Sequence, residues 1–115
     1  MVIQFTLSMP PSINETYRTH GHFTYKTKQA RDWETQAGWE MKSIYREKHD
    51  SEADVSITLD FYFKRERDID SGIKILLDFL QTKVYKNDRQ VKRLIVNKYR
   101  DTEKPRVEIK IESYK

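Results

Sequence analysis

Residues 64–80, KRERDIDSGIKILLDFL, carry the chain's most concentrated set of reactive side chains. Asp68 and Asp70 stand two residues apart, and Lys74 and Asp78 follow at four-residue steps. Paired carboxylates suit a hard divalent cation such as Mg²⁺, which takes oxygen ligands and keeps several waters. A lysine one helical turn further on suits charge developing on a phosphate. The competing explanation is local: aspartates favour helix starts, where they accept from free N–H groups and complement the dipole. Lys74 would then be an i, i+4 partner for Asp70 and Asp78, worth roughly 0.2–0.5 kcal/mol per pair.

A third carboxylate must come from elsewhere. Asp88 is the best placed, in the turn before a following strand, provided that strand lies beside residues 55–63. Asp60, Asp78 and Asp101 compete with it. Converging carboxylates repel and raise one another's pKa values. Bound Mg²⁺ offsets that repulsion and lowers the pKa of an attacking water. His20-Gly21-His22 resembles a metal pair, but two histidines in a polar loop fit solvation or phosphate contact better.

The elements that must position these groups follow from periodicity. Ile3, Phe5 and Leu7 alternate with polar residues as a half-buried strand, which Pro10-Pro11 ends. Residues 12–22 form a polar loop, and residues 23–25 a short strand. Ala30, Trp33, Ala37, Met41 and Ile44 recur at helical steps, giving a helix over residues 28–48 with Thr27 as its N-cap. Trp33 falls on the apolar stripe and Trp39 off it. Val55, Ile57, Leu59, Phe61 and Phe63 alternate strictly, the clearest strand in the chain. A second helix runs from about Asp70 to Thr82, with Ile73, Leu76, Leu77 and Leu80 as its stripe and Asp70, Lys74 and Asp78 along its rim. Residues 90–99 and 106–111 read as a closing pair of strands. The sum is a single α+β domain: a mixed four-stranded β-sheet with two helices packed against it, in the order β-α-β-α-β-β.

Composition narrows the function classes. The 115 residues include 22 Lys and Arg against 18 Asp and Glu, a net charge of +4. The isoelectric point near 9.2 and the basic set Lys83, Lys86, Arg89, Lys92, Arg93, Lys98 and Arg100 favour a polyanionic partner. No cysteine is present, so disulfides, thiolate zinc sites and cysteine nucleophiles are excluded. No apolar run approaches the ~20 residues that span a bilayer. The N-terminus lacks a charged signal-peptide region, so a cytoplasmic location is expected.

Three segments resemble the RusA family of Holliday-junction resolvases, small endonucleases often carried by prophages. Pro10-Pro11-Ser12-Ile13-Asn14-Glu15-Thr16-Tyr17-Arg18 is similar to its PPS-x-N-x-x-Y-R motif. Arg67-Asp68-Ile69-Asp70 with Lys74 and Asp78 resembles its R-D-x-D-N-x-x-K-x-x-x-D core. Asn87-Asp88-Arg89-Gln90-Val91 resembles its N/D-D-x-Q-V segment. The order and intervals match along nearly the whole chain. The resemblance implies that Asp68, Asp70 and Asp88 bind Mg²⁺ and carry the chemistry, supported by Lys74. It implies a homodimer that makes paired nicks in four-way DNA, with Asn14, Tyr17 and Arg18 lining the site or touching DNA. Arg67, Lys86 and Arg89, basic neighbours of the acidic set, are further expected DNA contacts. Ser71 replaces the family's common asparagine, and Asn87 stands where some members have aspartate. Rival readings are a nuclease acting on flaps, forks or RNA, and a non-catalytic basic DNA-binding or interaction module whose aspartates are helix caps.

Overall fold

Strict alternation over nine residues makes β4 (Val55–Phe63) the centre of the molecule. Its odd-numbered side chains, Val55 to Phe63, are each at most 2% exposed. The structure, a computed structural model, describes residues 2–44, 52–81 and 83–114. Within them the elements run β1 (Val2–Ser8), α1 (Ile13–Thr16), β2 (Tyr17–His20), β3 (Phe23–Lys26), α2 (Lys28–Ile44), β4, α3 (Ile73–Leu80), β5 (Val91–Arg100) and β6 (Arg106–Ser113). The fold is α+β, with a mixed four-stranded sheet in the order β1-β6-β4-β5 and a separate two-stranded sheet of β2 and β3. One face of the large sheet meets α2 and α3 in a single core of buried apolar residues.

Residues 90–99 and 106–111 do not close the sheet as a pair. β6 lies antiparallel to both β1 and β4, while β5 runs parallel to β4 on its other side. Two features account for this. A parallel neighbour needs a crossover, and α3 supplies it between β4 and β5. Polar and basic β5 suits an edge, whereas a strand buried on alternate positions along its whole length suits the middle.

Residues 12–22 are likewise ordered where a loop was expected. The Ser12 hydroxyl accepts from the Glu15 N–H at 3.3 Å while the Glu15 carboxylate accepts from the Ser12 N–H, a reciprocal cap that starts α1. The chain then turns through the β2–β3 hairpin, whose tip Gly21 takes φ 62°. Thr27 caps α2 as expected, its hydroxyl accepting from the Ala30 N–H at 3.2 Å. The expected continuation of that helix to residue 48, and the side chain of Ile44, lie outside the described residues.

α3 begins at Ile73, not Asp70, and ends at Leu80; the expected last residue, Thr82, lies outside the described residues. Its buried set is Ile75, Leu76, Phe79 and Leu80, with Ile73 and Leu77 packed at the margin. The stripe is therefore rotated from the expected one. Six of its eight residues are apolar, so periodicity could not choose the face. Packing did: Phe79 meets Trp33 edge-on at 5.3 Å. Trp33 is core and donates to the Ser8 carbonyl at 2.8 Å, while Trp39 is 66% exposed.

Phe61→Ala should therefore cost about 3–5 kcal/mol of stability through cavity formation. Trp39→Ala should stay within about 0.5 kcal/mol. Urea unfolding midpoints of the two variants check both values.

Candidate active site

The segment that leaves β4 curls immediately. The Ser71 N–H donates to the Asp68 carbonyl at 3.0 Å and the Ile73 N–H to the Asp70 carbonyl at 3.3 Å, consecutive turns that precede α3. Asp68 and Asp70 are exposed within that turn. The extended backbone that would point their side chains the same way is absent.

The turn is held by the first motif. The Ile13 N–H donates to the Ser71 carbonyl at 2.8 Å. Arg67 donates from Nη1 to the Pro10 carbonyl and from Nε to the Ser71 hydroxyl, each at 3.1 Å. Its guanidinium carbon lies 4.8 Å from the centroid of the Phe63 ring. Burial works against the charge of Arg67, and the Glu15 carboxylate partly offsets this. Gly72 lets the two segments meet: a Cβ there would lie 3.0 Å from Pro10 Cγ and 3.5 Å from Phe61 Cε1. Arg67, expected among the DNA contacts, thus spends two nitrogens inside the protein. Ser71 is a working part of that clamp.

From the turn, α3 carries Lys74 and Asp78 along one exposed edge, with Nζ and Oδ2 3.6 Å apart. Asp88 meets this edge at its far end. Because β5 is parallel to β4, Val91 aligns with Val55 at the start of β4, whereas Asp68 and Asp70 follow its end. At ~1.5 Å per residue, the eight residues of α3 span about 12 Å between the turn bearing Asp70 and the end that meets Asp88. The proviso for Asp88, that its strand lies beside residues 55–63, is met.

Asp88 is held by Gln81 and Tyr85, which no motif singled out, and its turn by Asn87 and Gln90 of the third motif. The Gln81 side-chain carbonyl accepts from its N–H at 3.2 Å. Buried Tyr85 divides its one hydroxyl hydrogen between Asp88 Oδ1 at 3.2 Å and the Leu77 carbonyl at 3.4 Å. Asn87 Oδ1 accepts from the Arg89 N–H, and Gln90 Oε1 accepts from the Asn87 and Lys86 N–H groups. Gln90 also donates to the Ala53 carbonyl at 2.8 Å, tying the turn to the approach to β4. The N-x-x-Q spacing from Asn87 to Gln90 was a readable signal, since it is a capping box. Burial, then the Asp88 and Asp78 carboxylates, push the Tyr85 hydroxyl above its ordinary pKa.

The competing carboxylates have other duties. Asp60 lies on the sheet face away from the helices and accepts from Asn97 at 2.8 Å. Asp101 accepts from the Glu103 and Lys104 N–H groups and from Arg106, which together hold its carboxyl below the usual range. Among the expected DNA contacts, Asn14, Arg18 and Arg89 are exposed, Tyr17 is half-buried, and Lys86 pairs with Glu52 at 3.3 Å. His20 and His22 flank Gly21 at the hairpin tip.

The donors along the α3 edge are hard oxygens, the class that Mg²⁺ takes. Among the described residues no group of three or more His, Asp and Glu side chains is arranged to hold a metal ion. Asp68, Asp70 and Asp88 therefore do not form a ready-made cage within the single chain. Mg²⁺ does not demand one, because it is commonly held by one or two carboxylates together with substrate phosphates and water.

A family model described as Endodeoxyribonuclease RusA matches residues 8–112. The chain belongs to the endodeoxyribonuclease RusA family. RusA membership implies Holliday-junction resolvase activity, hence a nuclease with a DNA substrate. The match takes in all three motifs and the elements that join them. A search of curated proteins finds no match. Among the described residues no helix is long and apolar enough to cross a membrane.

Tyr85 makes the Asp88 turn sensitive to alkali. Its hydroxyl pKa is raised above 10.0 in the fold, so its stabilisation is complete below pH ~10 and is lost as pH rises through the folded value. Tyr85→Phe should flatten this alkaline loss relative to the unsubstituted chain, as read by thermal unfolding from pH 8 to 11.

Proposed function

We propose that the protein is a Mg²⁺-dependent, homodimeric endonuclease that resolves four-way DNA junctions by paired symmetric nicks. The observation that supports this most is the docking of the three RusA motifs around α3. The first clamps the turn bearing Asp68 and Asp70, the second supplies Lys74, and the third brings Asp88 to the helix's far end.

Asp68 and Asp70 at one end of α3 and Asp88 at the other would each hold Mg²⁺ at their own end, with DNA phosphate oxygens and water completing the shell, because one ion with ligands at ~2 Å does not span a helix. Bound there, Mg²⁺ would polarise the scissile phosphate and make its water a stronger nucleophile. The chain's own groups do the rest. Asp78 keeps the Lys74 ammonium on the exposed edge at 3.6 Å, where it can meet negative charge as it builds on the phosphate. Tyr85 and Gln81 fix the Asp88 carboxylate and backbone, so that this acid arrives already oriented. Asn14, Tyr17, Arg18, Lys86 and Arg89 would grip the backbone. Such contacts position the substrate without reading its sequence, so discrimination rests on junction shape.

The test is incubation with a synthetic mobile four-way junction, with and without Mg²⁺, followed by denaturing electrophoresis. Paired symmetric cuts that require Mg²⁺ are expected. Asp70→Asn should abolish cutting while junction affinity stays within about threefold. Lys74→Ala should slow cutting by about 10²-fold, in line with loss of one group that stabilises transition-state charge. Unchanged cutting by Asp70→Asn would remove the metal role assigned to that residue. Junction binding by the unsubstituted chain without any cutting would favour the non-catalytic module.

A further inference from the structure

The β2–β3 hairpin stands apart from the main sheet as its own two-stranded unit. Isolated hairpins are marginal in water, so a protein that keeps one ties it down. Here the ties are all at the base. The Thr27 N–H donates to the Thr16 carbonyl at 2.8 Å, and the Thr27 hydroxyl donates to the Glu15 carbonyl at 2.6 Å. Lys26 pairs with Glu34 at 2.8 Å. The Asp78 carboxylate also helps hold the Lys26 ammonium above its ordinary pKa, after its stronger partner Glu34. The hairpin thus springs from α1, whose Ile13 N–H is bonded at 2.8 Å to the Ser71 carbonyl in the turn that leads into α3.

Cross-strand register sorts its side chains. Arg18 faces Tyr25 and His20 faces Phe23. Since side chains alternate between faces, Arg18, His20, Phe23 and Tyr25 share one face. Phe23 is 76% exposed and Tyr25 52%. Residues 17–26 contain two cations and two histidines but no acid. Two bare aromatic rings interleaved with Arg and His, free of carboxylates, suit a ligand that is both polyanionic and aromatic.

We propose that this face is a stacking arm for unpaired bases at the branch point of DNA. The inference rests on reading the neighbouring edge as a branched-DNA nuclease, and it supplies what that site lacks. Phosphate contacts do not tell a junction from a duplex, because both present the same charged backbone. A branch point differs in exposing base faces without stacking neighbours. An aromatic side chain takes any such base, because every base has a π-face. The arm recognises the opened crossover, and the α3 edge cuts the strand held beside it.

The experiment uses the full chain with two DNAs in EDTA: a four-way junction with 2-aminopurine at the crossover, and a linear duplex with 2-aminopurine at its centre. Affinity and fluorescence are read for the unsubstituted chain and for Phe23→Ala, Phe23→Leu and Phe23→Trp. Junction cutting is then measured with Mg²⁺. Phe23→Ala should weaken junction binding roughly 5- to 150-fold, leave duplex binding within about twofold, and remove the fluorescence change at the crossover. Phe23→Trp should restore all three, whereas Phe23→Leu, apolar but without a π-face, should not. If the unsubstituted chain cuts junctions while Phe23→Ala keeps its affinity and fluorescence change, the arm is wrong and the nuclease reading stands. If the unsubstituted chain neither binds nor cuts branched DNA, both fall. If Phe23→Ala instead halves the mass in sedimentation, the face joins two copies of the chain and the stacking role is overturned.

Discussion

The guanidinium of Arg67 is the tie on which the arrangement depends. Its planar fork reaches back across the chain to the Pro10 carbonyl and forward to the Ser71 hydroxyl, while its face lies against Phe63. Lysine, a point charge on a flexible stem, could not serve all three partners in one geometry. Burying a guanidinium costs free energy, which the two hydrogen bonds and the ring contact offset only in part, since Nη2 is buried without a hydrogen-bond partner among the described residues. The return is positional: the Asp68–Asp70 turn and the start of α1 cannot move independently. Ser71 therefore matters for a reason unrelated to metal binding, and Gly72 for the room it leaves Pro10.

The second constraint is the parallel pairing of β4 with β5. A parallel neighbour obliges the chain to travel the length of the sheet between the two strands, and α3 is that return path. The crossover carries Asp70 in its opening turn and Lys74 and Asp78 along one edge of α3, and delivers Asp88 to the end opposite Asp68. The acids are distributed along a helix instead of being gathered at one strand end. The Tyr85 and Gln90 bonds then serve a clear purpose, since a carboxylate so far from the others needs its own scaffold.

Charge follows the same division. Lys98 is bound to Glu66 and to the Arg67 carbonyl, Lys86 to Glu52, and Arg93 lies over Tyr114. Much of the basic character of β5 and its approach is thus committed to internal contacts. The hairpin itself, residues 17–26, contributes Arg18 and His20 and contains no acid, so its share of the positive potential is less compensated from within.

The sequence alone determined the elements whose pattern admits one answer. Alternation over residues 55–63 reads as a strand, Thr27 offers an N-cap, and the three motifs in order resemble RusA, all of which the structure and the family match bear out. It also named every carboxylate of the candidate site. Tertiary structure decided what local pattern leaves degenerate. α3 is apolar on most of its surface, so its buried face was set by Phe79 meeting Trp33. Residues 12–22 are polar whether looped or paired, and their hairpin was set by the docking of Thr16 and Thr27. The partners of β5 and β6 were set by the competition of strands for a place beside β4. In each case the deciding energy comes from residues distant in sequence, a quantity that no window along the chain contains.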